Sequence, residues 1–271
     1  MKPLQPSRLI LAAGAACLWL TSPLAWAEEL DLSGWQEVTL SFPGGQGPAN
    51  WVLDADNRGV AQTLNADPSF FLNGEVQGAY TLSGSFRVTT SFDDDYIGFA
   101  FGWQNSSNFY LFDWKQTQQD YQGQRANEGM TIKRFSGATG DGLVDLSIGE
   151  LWENRSDLGD MAVLATNHGS TAGWLENRSY TFSLDFNLTP GSFRVVVADG
   201  NTVLWDQTVA DSTFTSGQFA FFNNSQQGVA YAGFTQDVVP PPIPEPGSWA
   251  LLLAGAPLLG WRLRRAVRQR R

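Results

Sequence analysis

Residues 93–116, DDDYIGFAFGWQNSSNFYLFDWKQ, admit few folds. Large side chains (Ile97, Phe99, Phe101, Trp103) alternate with small ones (Gly98, Ala100, Gly102), a period of two that suits a strand and not a helix. Gln104-Asn105-Ser106-Ser107-Asn108 interrupts the pattern, and Phe109-Tyr110-Leu111-Phe112-Asp113-Trp114 resumes it. The stretch predicts two buried strands joined by a polar turn. Three consecutive carboxylates, Asp93, Asp94 and Asp95, feed the first strand, so charge is concentrated directly beside the core.

The rest of the chain repeats the theme at shorter range. Leu30 to Phe42 predicts a first strand region ending at Pro43-Gly44-Gly45. Trp51-Val52-Leu53 and Val60 to Leu64 predict short strands around a polar turn. Phe86, Val88, Thr90 and Phe92 alternate with Arg87, Thr89 and Ser91, a half-buried strand running into the aspartates. Between Gln116 and Leu151 the pattern loosens: residues 117–129 are polar and 137–142 loop-like, so long loops over one face are expected there, with a short helix at Leu151-Trp152 and a strand at Ala162-Val163-Leu164 following. Tyr180 to Leu188 alternates again. Phe193 to Ala198 and Thr202 to Trp205 flank Asp199-Gly200, where both turn positions tolerate positive φ. Phe219 to Phe222 and Val229 to Phe234 close the sheet. Many short strands without helical heptads predict one all-β sandwich or barrel.

A hydrophobic content of 42% with 13% aromatic residues supplies an ample core, while only 16% of residues are charged. Eight basic residues sit at the two ends: Lys2, Arg8, Arg262, Arg264, Arg265, Arg268, Arg270 and Arg271. Without them nine basic residues face 27 acidic ones, a charge of -18. Such a surface repels phosphate backbones and argues against nucleic-acid binding. The single cysteine, Cys17, lies near the N-terminus, so the domain itself has no thiol for a disulfide or a Cys metal site.

Residues 1–27 have a basic start, an apolar run from Leu9 to Leu20 and Ala25-Trp26-Ala27 before Glu28. This is the layout of a secretory signal peptide. Gly14-Ala15-Ala16 makes a poor lipobox for Cys17. At the other end, residues 238–247 form a proline-rich linker containing Pro244-Glu245-Pro246. A short apolar segment (248–261) and a basic tail (262–271) follow. This arrangement resembles the PEP-CTERM sorting signal of Gram-negative bacteria. The resemblance implies recognition by an exosortase, transient inner-membrane anchoring, and a final place at the cell envelope or outside the cell.

The domain between, residues 28–237, also carries a resemblance. Asn50-Trp51-Val52, Gln62 to Pro68, the 93–116 stretch, Leu151-Trp152, Gly173-Trp174, Phe193-Arg194-Val195 and Ser225-Gln226 occur in an order similar to the thrombospondin C-terminal, lectin-like family. That family implies a jelly-roll β-sandwich of the concanavalin or L-type-lectin kind, with bound calcium and a non-catalytic adhesive role. Matrix polysaccharide or a surface protein is the partner it suggests.

Asp93, Asp94 and Asp95 are the leading metal ligands. Adjacent carboxylates repel one another, and a hard divalent cation removes that cost. Calcium accepts roughly six to eight oxygens in loose geometry, which suits carboxylates mixed with loop carbonyls. A solvated acidic turn is the plainer reading of the same residues. Asp67 and Asp56 are weaker candidates, with Asp54 and Asn65, because Asx residues favour turns for backbone reasons alone. Asp113 either faces this region or lies on the outer face of its strand.

Catalysis finds little support. One histidine, His168, and no domain thiol exclude most triads, and His168 reads as a loop residue. Glu150, Glu153 and Glu176 are the carboxylates a glycoside hydrolase or lyase on this scaffold would draw on, but no signature surrounds them. Trp103, Trp114, Trp152 and Trp174 fit sugar stacking or, more commonly at strand spacing, core.

Overall fold

A computed structural model describes residues 29–137 and 146–238, Val238 by its backbone alone. The predicted signal peptide, proline-rich linker, sorting segment and basic tail, and most of the loop expected at 137–142, lie outside the described residues. Among the described residues no helix is long and apolar enough to cross a membrane.

The chain opens with β1 (Gln36–Thr39), β2 (Trp51–Leu53), β3 (Gly59–Gln62), β4 (Ser69–Leu72) and β5 (Tyr80–Val88). The hairpin β6 (Tyr96–Asn105) and β7 (Asn108–Lys115) follows, then β8 (Gln119–Tyr121), β9 (Gln124–Ala126) and β10 (Gly129–Ser136). One helix, α1 (Ile148–Trp152), precedes β11 (Met161–His168), β12 (Ser179–Phe186), β13 (Ser192–Asp199) and β14 (Thr202–Ala210). The described chain ends with β15 (Gln218–Asn224) and β16 (Val229–Val238). Two antiparallel seven-stranded sheets result. The first runs β1-β4-β15-β6-β7-β10-β11 and the second β14-β13-β12-β5-β16-β3-β2, with β8-β9 a separate ribbon. This is the predicted all-β sandwich.

The alternation in β6 explains the packing. Ile97, Phe99 and Phe101 point between the sheets, where Phe99 stacks on Phe112 of its own sheet (4.8 Å) and on Phe182 of the other (4.6 Å). Burial of such rings dominates the core energy. The first sheet has a second buried face. Tyr96, Ala100, Trp103, Phe109, Leu111, Phe135 and Phe222 form an outer cluster with Leu151 and Trp152 of α1. Ser147 caps α1, its Oγ accepting from Glu150 N (3.2 Å) while Glu150 Oε2 accepts from Ser147 N (2.6 Å).

Four local expectations differ from the structure. The strand predicted through Phe92 ends at Val88, and Phe92 is 81% exposed. Its side chain leaves the sheet because Thr89 and Thr90 are tied instead to Gly228 O and Gln227 O. The loose region after Gln116 contains β10, a full strand between β7 and β11. The hairpin after β13 turns at Gly200-Asn201 rather than Asp199-Gly200, since Asp199 pairs with Thr202 and Gly200 takes φ +54°. His168 closes β11 instead of lying in a loop.

Candidate functional site

The aspartate triplet sits in the connection from β5 to β6, immediately before Tyr96. Its backbone is held on several sides. Asp95 N donates to Gln226 Oε1 (3.0 Å), Trp174 Nε1 donates to Asp95 O (3.1 Å), and Gln116 N donates to Asp94 O (3.2 Å). Among the described residues Asp93, Asp94 and Asp95 form the one acidic cluster in which each brings an oxygen within 4.8 Å of the others.

A lysine sits behind them. β6 and β7 pair so that Tyr96 lies opposite Lys115, which places the fully buried Lys115 ammonium under the triplet. Its Nζ donates to Asp95 Oδ1 (2.6 Å), Asp94 Oδ1 (2.9 Å), Asp94 O (2.8 Å) and Gln119 Oε1 (3.1 Å). The Trp152 ring lies 5.1 Å from the same nitrogen. One ammonium against three carboxylates leaves two negative charges. The shortfall falls on Asp93: burial, and then the Asp95 charge beside it, push its carboxyl up to about 6.

Around the triplet the loops form a cleft of ≈ 290 Å³. Asp67 belongs to it. Its carboxylate accepts from Gln46 N (3.0 Å) and Gly47 N (3.1 Å) and so shapes the wall 42–47, where a Cβ at Gly45 would run into that carboxylate. Asn65 Nδ2 donates to Asp93 Oδ2, and Ser225 Oγ donates to Asn65 Oδ1 (3.1 Å). Ser225, at φ +59°, turns the chain leaving β15 back over the cleft. Asp54 and Asp56 lie apart, in the turn between β2 and β3, where Asp56 Oδ1 accepts from Arg58 N (3.2 Å); neither lines this cleft.

The donor set fits a hard cation. Carboxylate oxygens from Asp93, Asp94 and Asp95 converge, and the charge that Lys115 leaves over matches a divalent ion, while Asn65 only orients Asp93 through its amide N–H. Sequence reasoning did not single out Lys115, Asn224 or Tyr121, and it named Gln226 only for the family resemblance and Pro43-Gly44-Gly45 only as a turn; all of them build the cleft or its floor. The available signal was a lysine closing a mostly aromatic strand, β7, just beyond Asp113 and Trp114.

The remaining candidates have structural duties. Asp113 is on the outer face of its strand and fully buried, its Oδ2 2.6 Å from the equally buried Lys133 Nζ. Glu150 serves the helix cap and accepts from Asp160 N (2.8 Å), and Glu153 Oε1 accepts from Arg155 N (2.9 Å). Glu176 is exposed. Trp103, Trp114 and Trp174 are core residues, while Trp152 is buried at the cleft wall.

Two seven-stranded antiparallel sheets with an acidic cleft at one rim define a lectin-like β-sandwich. Residues 46–238 match the profile of the thrombospondin C-terminal region, and the chain belongs to that family. It is 33% identical to human (Homo sapiens) thrombospondin-2 over 211 residues, covering 75% of this chain and 18% of that protein. With Danio rerio thrombospondin-3b the identity is 31% over 209 residues, covering 74% of this chain and 22% of the relative. The chain thus spans about a fifth of the length of the curated relatives it matches. Among solved structures, the exoplasmic/lumenal domain of VIP36 in its Ca2+/Man2-bound form shares the fold. Its TM-score is 0.51 at 11% identity, covering 79% of this chain and 85% of that one.

Proposed function

We propose that this is an exported, non-catalytic, calcium-binding domain of adhesive, lectin-like type. The observation that carries the reading is the incomplete neutralisation of the triplet: Lys115 answers Asp94 and Asp95 from behind, and Asp93 is left without a counter-charge. Asp93, Asp94 and Asp95 would hold the ion, with Asn65 beside them and Asp67 across the cleft. A bound calcium would supply positive charge and pin the β5–β6 connection to the loop after β15. The domain has no disulfide to do so. Its own residues set the platform, because Gln226, Trp174 and Gln116 fix the backbone of the triplet whether or not an ion is present.

The sorting tail read from the sequence supports release to the cell surface or matrix after exosortase processing. Matrix polysaccharide or a neighbouring surface protein is then the partner. Melting curves with calcium and with chelator test the core of this reading. At free calcium near a hundred times Kd the stabilisation is about 2.7 kcal/mol, or roughly 5–10 °C for a domain of this size. Asp93→Asn combined with Asp95→Asn lowers the melting temperature in calcium and abolishes that increment. A double variant that keeps the full increment removes the assignment.

A further inference from the structure

A buried amine and a buried carboxyl meet on the outer face of the first sheet, away from the cleft lining. β7 and β10 pair so that Asp113 lies opposite Thr131, and Lys133, two residues on, shares their face. Lys133 Nζ stands 2.6 Å from Asp113 Oδ2, and both side chains have 0% exposure. The contact is short but is not aligned as a hydrogen bond, and neither Asp113 oxygen accepts one among the described residues. The nitrogen gives its hydrogen bond to Leu151 O instead (2.8 Å), with the Tyr96 ring 5.1 Å away. Two unpartnered carboxylate oxygens in a dry core are costly.

We propose that Lys133 Nζ and Asp113 Cγ join in an intrachain isopeptide bond that staples β7 to β10. The step needs no partner molecule. Lys133 Nζ passes a proton to Asp113 Oδ2 across their contact, which leaves a neutral amine beside a neutral acid. The amine lone pair attacks Cγ and the Cγ–Oδ2 bond breaks. That oxygen leaves as water, carrying two hydrogens that began on the nitrogen. A C–N bond replaces a C–O bond, one N–H remains, and nothing is oxidised or reduced.

The surroundings favour closure. Burial favours the neutral forms that react, pushing the Asp113 carboxyl up and the Lys133 amine down. Adjacent strands hold the two groups in contact, so the entropy of bringing them together is already lost on folding. The product replaces two buried charges with one neutral amide. Its N–H keeps the bond to Leu151 O, and one carbonyl oxygen stands where two carboxylate oxygens lacked partners. Lys115 and Asp95 show the contrast at the same 2.6 Å separation. Lys115 Nζ donates to four acceptors, a setting for an ammonium and not for a nucleophile.

The bond closes a ring over residues 113–133, which carries Lys115 and the β8–β9 ribbon with Gln119 and Tyr121 of the cleft. It restrains the unfolded chain as a disulfide does elsewhere, in a domain with no thiol. It forms whether or not the cleft holds calcium. The ion pair is the precursor, and the costs of breaking that pair belong to the chain in which the bond has not yet closed.

The test holds the folded full chain at neutral pH, unfolds it, and measures its intact mass and its tryptic peptides. A species lighter by one water should accumulate with time. Its digest should contain a branched peptide joining the segments around Asp113 and Lys133, with no cleavage after Lys133. Asp113→Ala should keep the full mass and give linear peptides cut after Lys133; the wild-type digest decides if that variant fails to fold. Two results overturn the proposal. One is a wild-type mass that stays at its full value. The other is loss of water without the branched peptide, the signature of a cyclised Asp-Gly site such as Asp199-Gly200.

Discussion

Lys115 and Asp113 stand two residues apart on β7, so both point to the outer face of the first sheet, yet they belong to opposite kinds of charge cluster. Asp113 meets Lys133 of β10 in a sealed pair, each partner with 0% exposure. Burial pushes the Asp113 carboxyl up and the Lys133 amine down, so each group resists carrying charge and the pair has no excess to offer an outside ion. Lys115 meets a triplet that opens into the cleft and outnumbers it. The same residue types thus do different jobs according to stoichiometry and access to solvent. The sealed pair anchors α1, since Lys133 Nζ donates to Leu151 O (2.8 Å) and Tyr96 Oη donates to Trp152 O (2.5 Å), satisfying carbonyls at the helix end. The open triplet keeps negative charge in reserve.

The sharpest way to break this comparison is to remove one member of the sealed pair. Lys133→Met strands the Asp113 carboxylate in the outer core and unpairs Leu151 O, and should cost about 3–5 kcal/mol in a denaturant titration. Adding Asp113→Leu should recover most of that loss, because an apolar pair of similar volume replaces the ions. A Lys133→Met protein within about 0.5 kcal/mol of wild type would show that the pair carries no such burden.

The open cluster should answer in the opposite sense. Asp93→Asn removes an under-compensated charge, so in chelator it should leave stability unchanged or raise it by up to about 1 kcal/mol. In calcium the same change should shrink the stabilising increment. The two melting curves are measured side by side. Loss of stability in the chelator arm would mean that the Asp93 charge is already balanced without an ion.

How far sequence alone could reach follows from this geometry. The β6–β7 hairpin was legible because Ile97, Phe99 and Phe101 alternate with small residues and Ser106-Ser107 marks the turn, although Trp103, the next residue of that pattern, falls past the bulge into the outer cluster. Its register was not. Asn105 pairs with Asn108, and counting back from there puts Lys115 opposite Gly98, whereas a bulge between Phe101 and Asn105 moves it to Tyr96, under the triplet. β10 was hidden for another reason. Thr131 and Lys133 look like a solvent-facing row, but α1 and the outer cluster bury them, so a strand covered on both sides read as a half-polar loop. The triplet was legible by charge density. Asn224 and Trp152 were not, since nothing in a sequence shows that a donor lacks a partner. Asp56 was named for its residue type, and the fold leaves it on a turn away from the cleft.

A smaller effect extends the comparison along the sealed side. His168, closing β11, has its Nε2 2.9 Å from Thr131 Oγ1 and its Nδ1 3.4 Å from Asn127 Nδ2. Burial, and then the Lys133 ammonium, hold its imidazole below the ordinary value, with Glu153 opposing. The folded state therefore disfavours the protonated ring. The associated stability is complete above the unfolded pKa of about 6.5 and is lost as pH falls below it toward the folded value. Asp93 works the other way on the open side, because its carboxyl at about 6 takes up a proton in the folded state before the unfolded chain does. Stability measured from pH 7 to pH 5 mixes the two signs. The difference between wild type and His168→Gln isolates one: the variant should lose less stability on acidification, by about 1 kcal/mol or less over that range. Parallel curves would place the His168 ring in contact with water and detach it from the sealed pair.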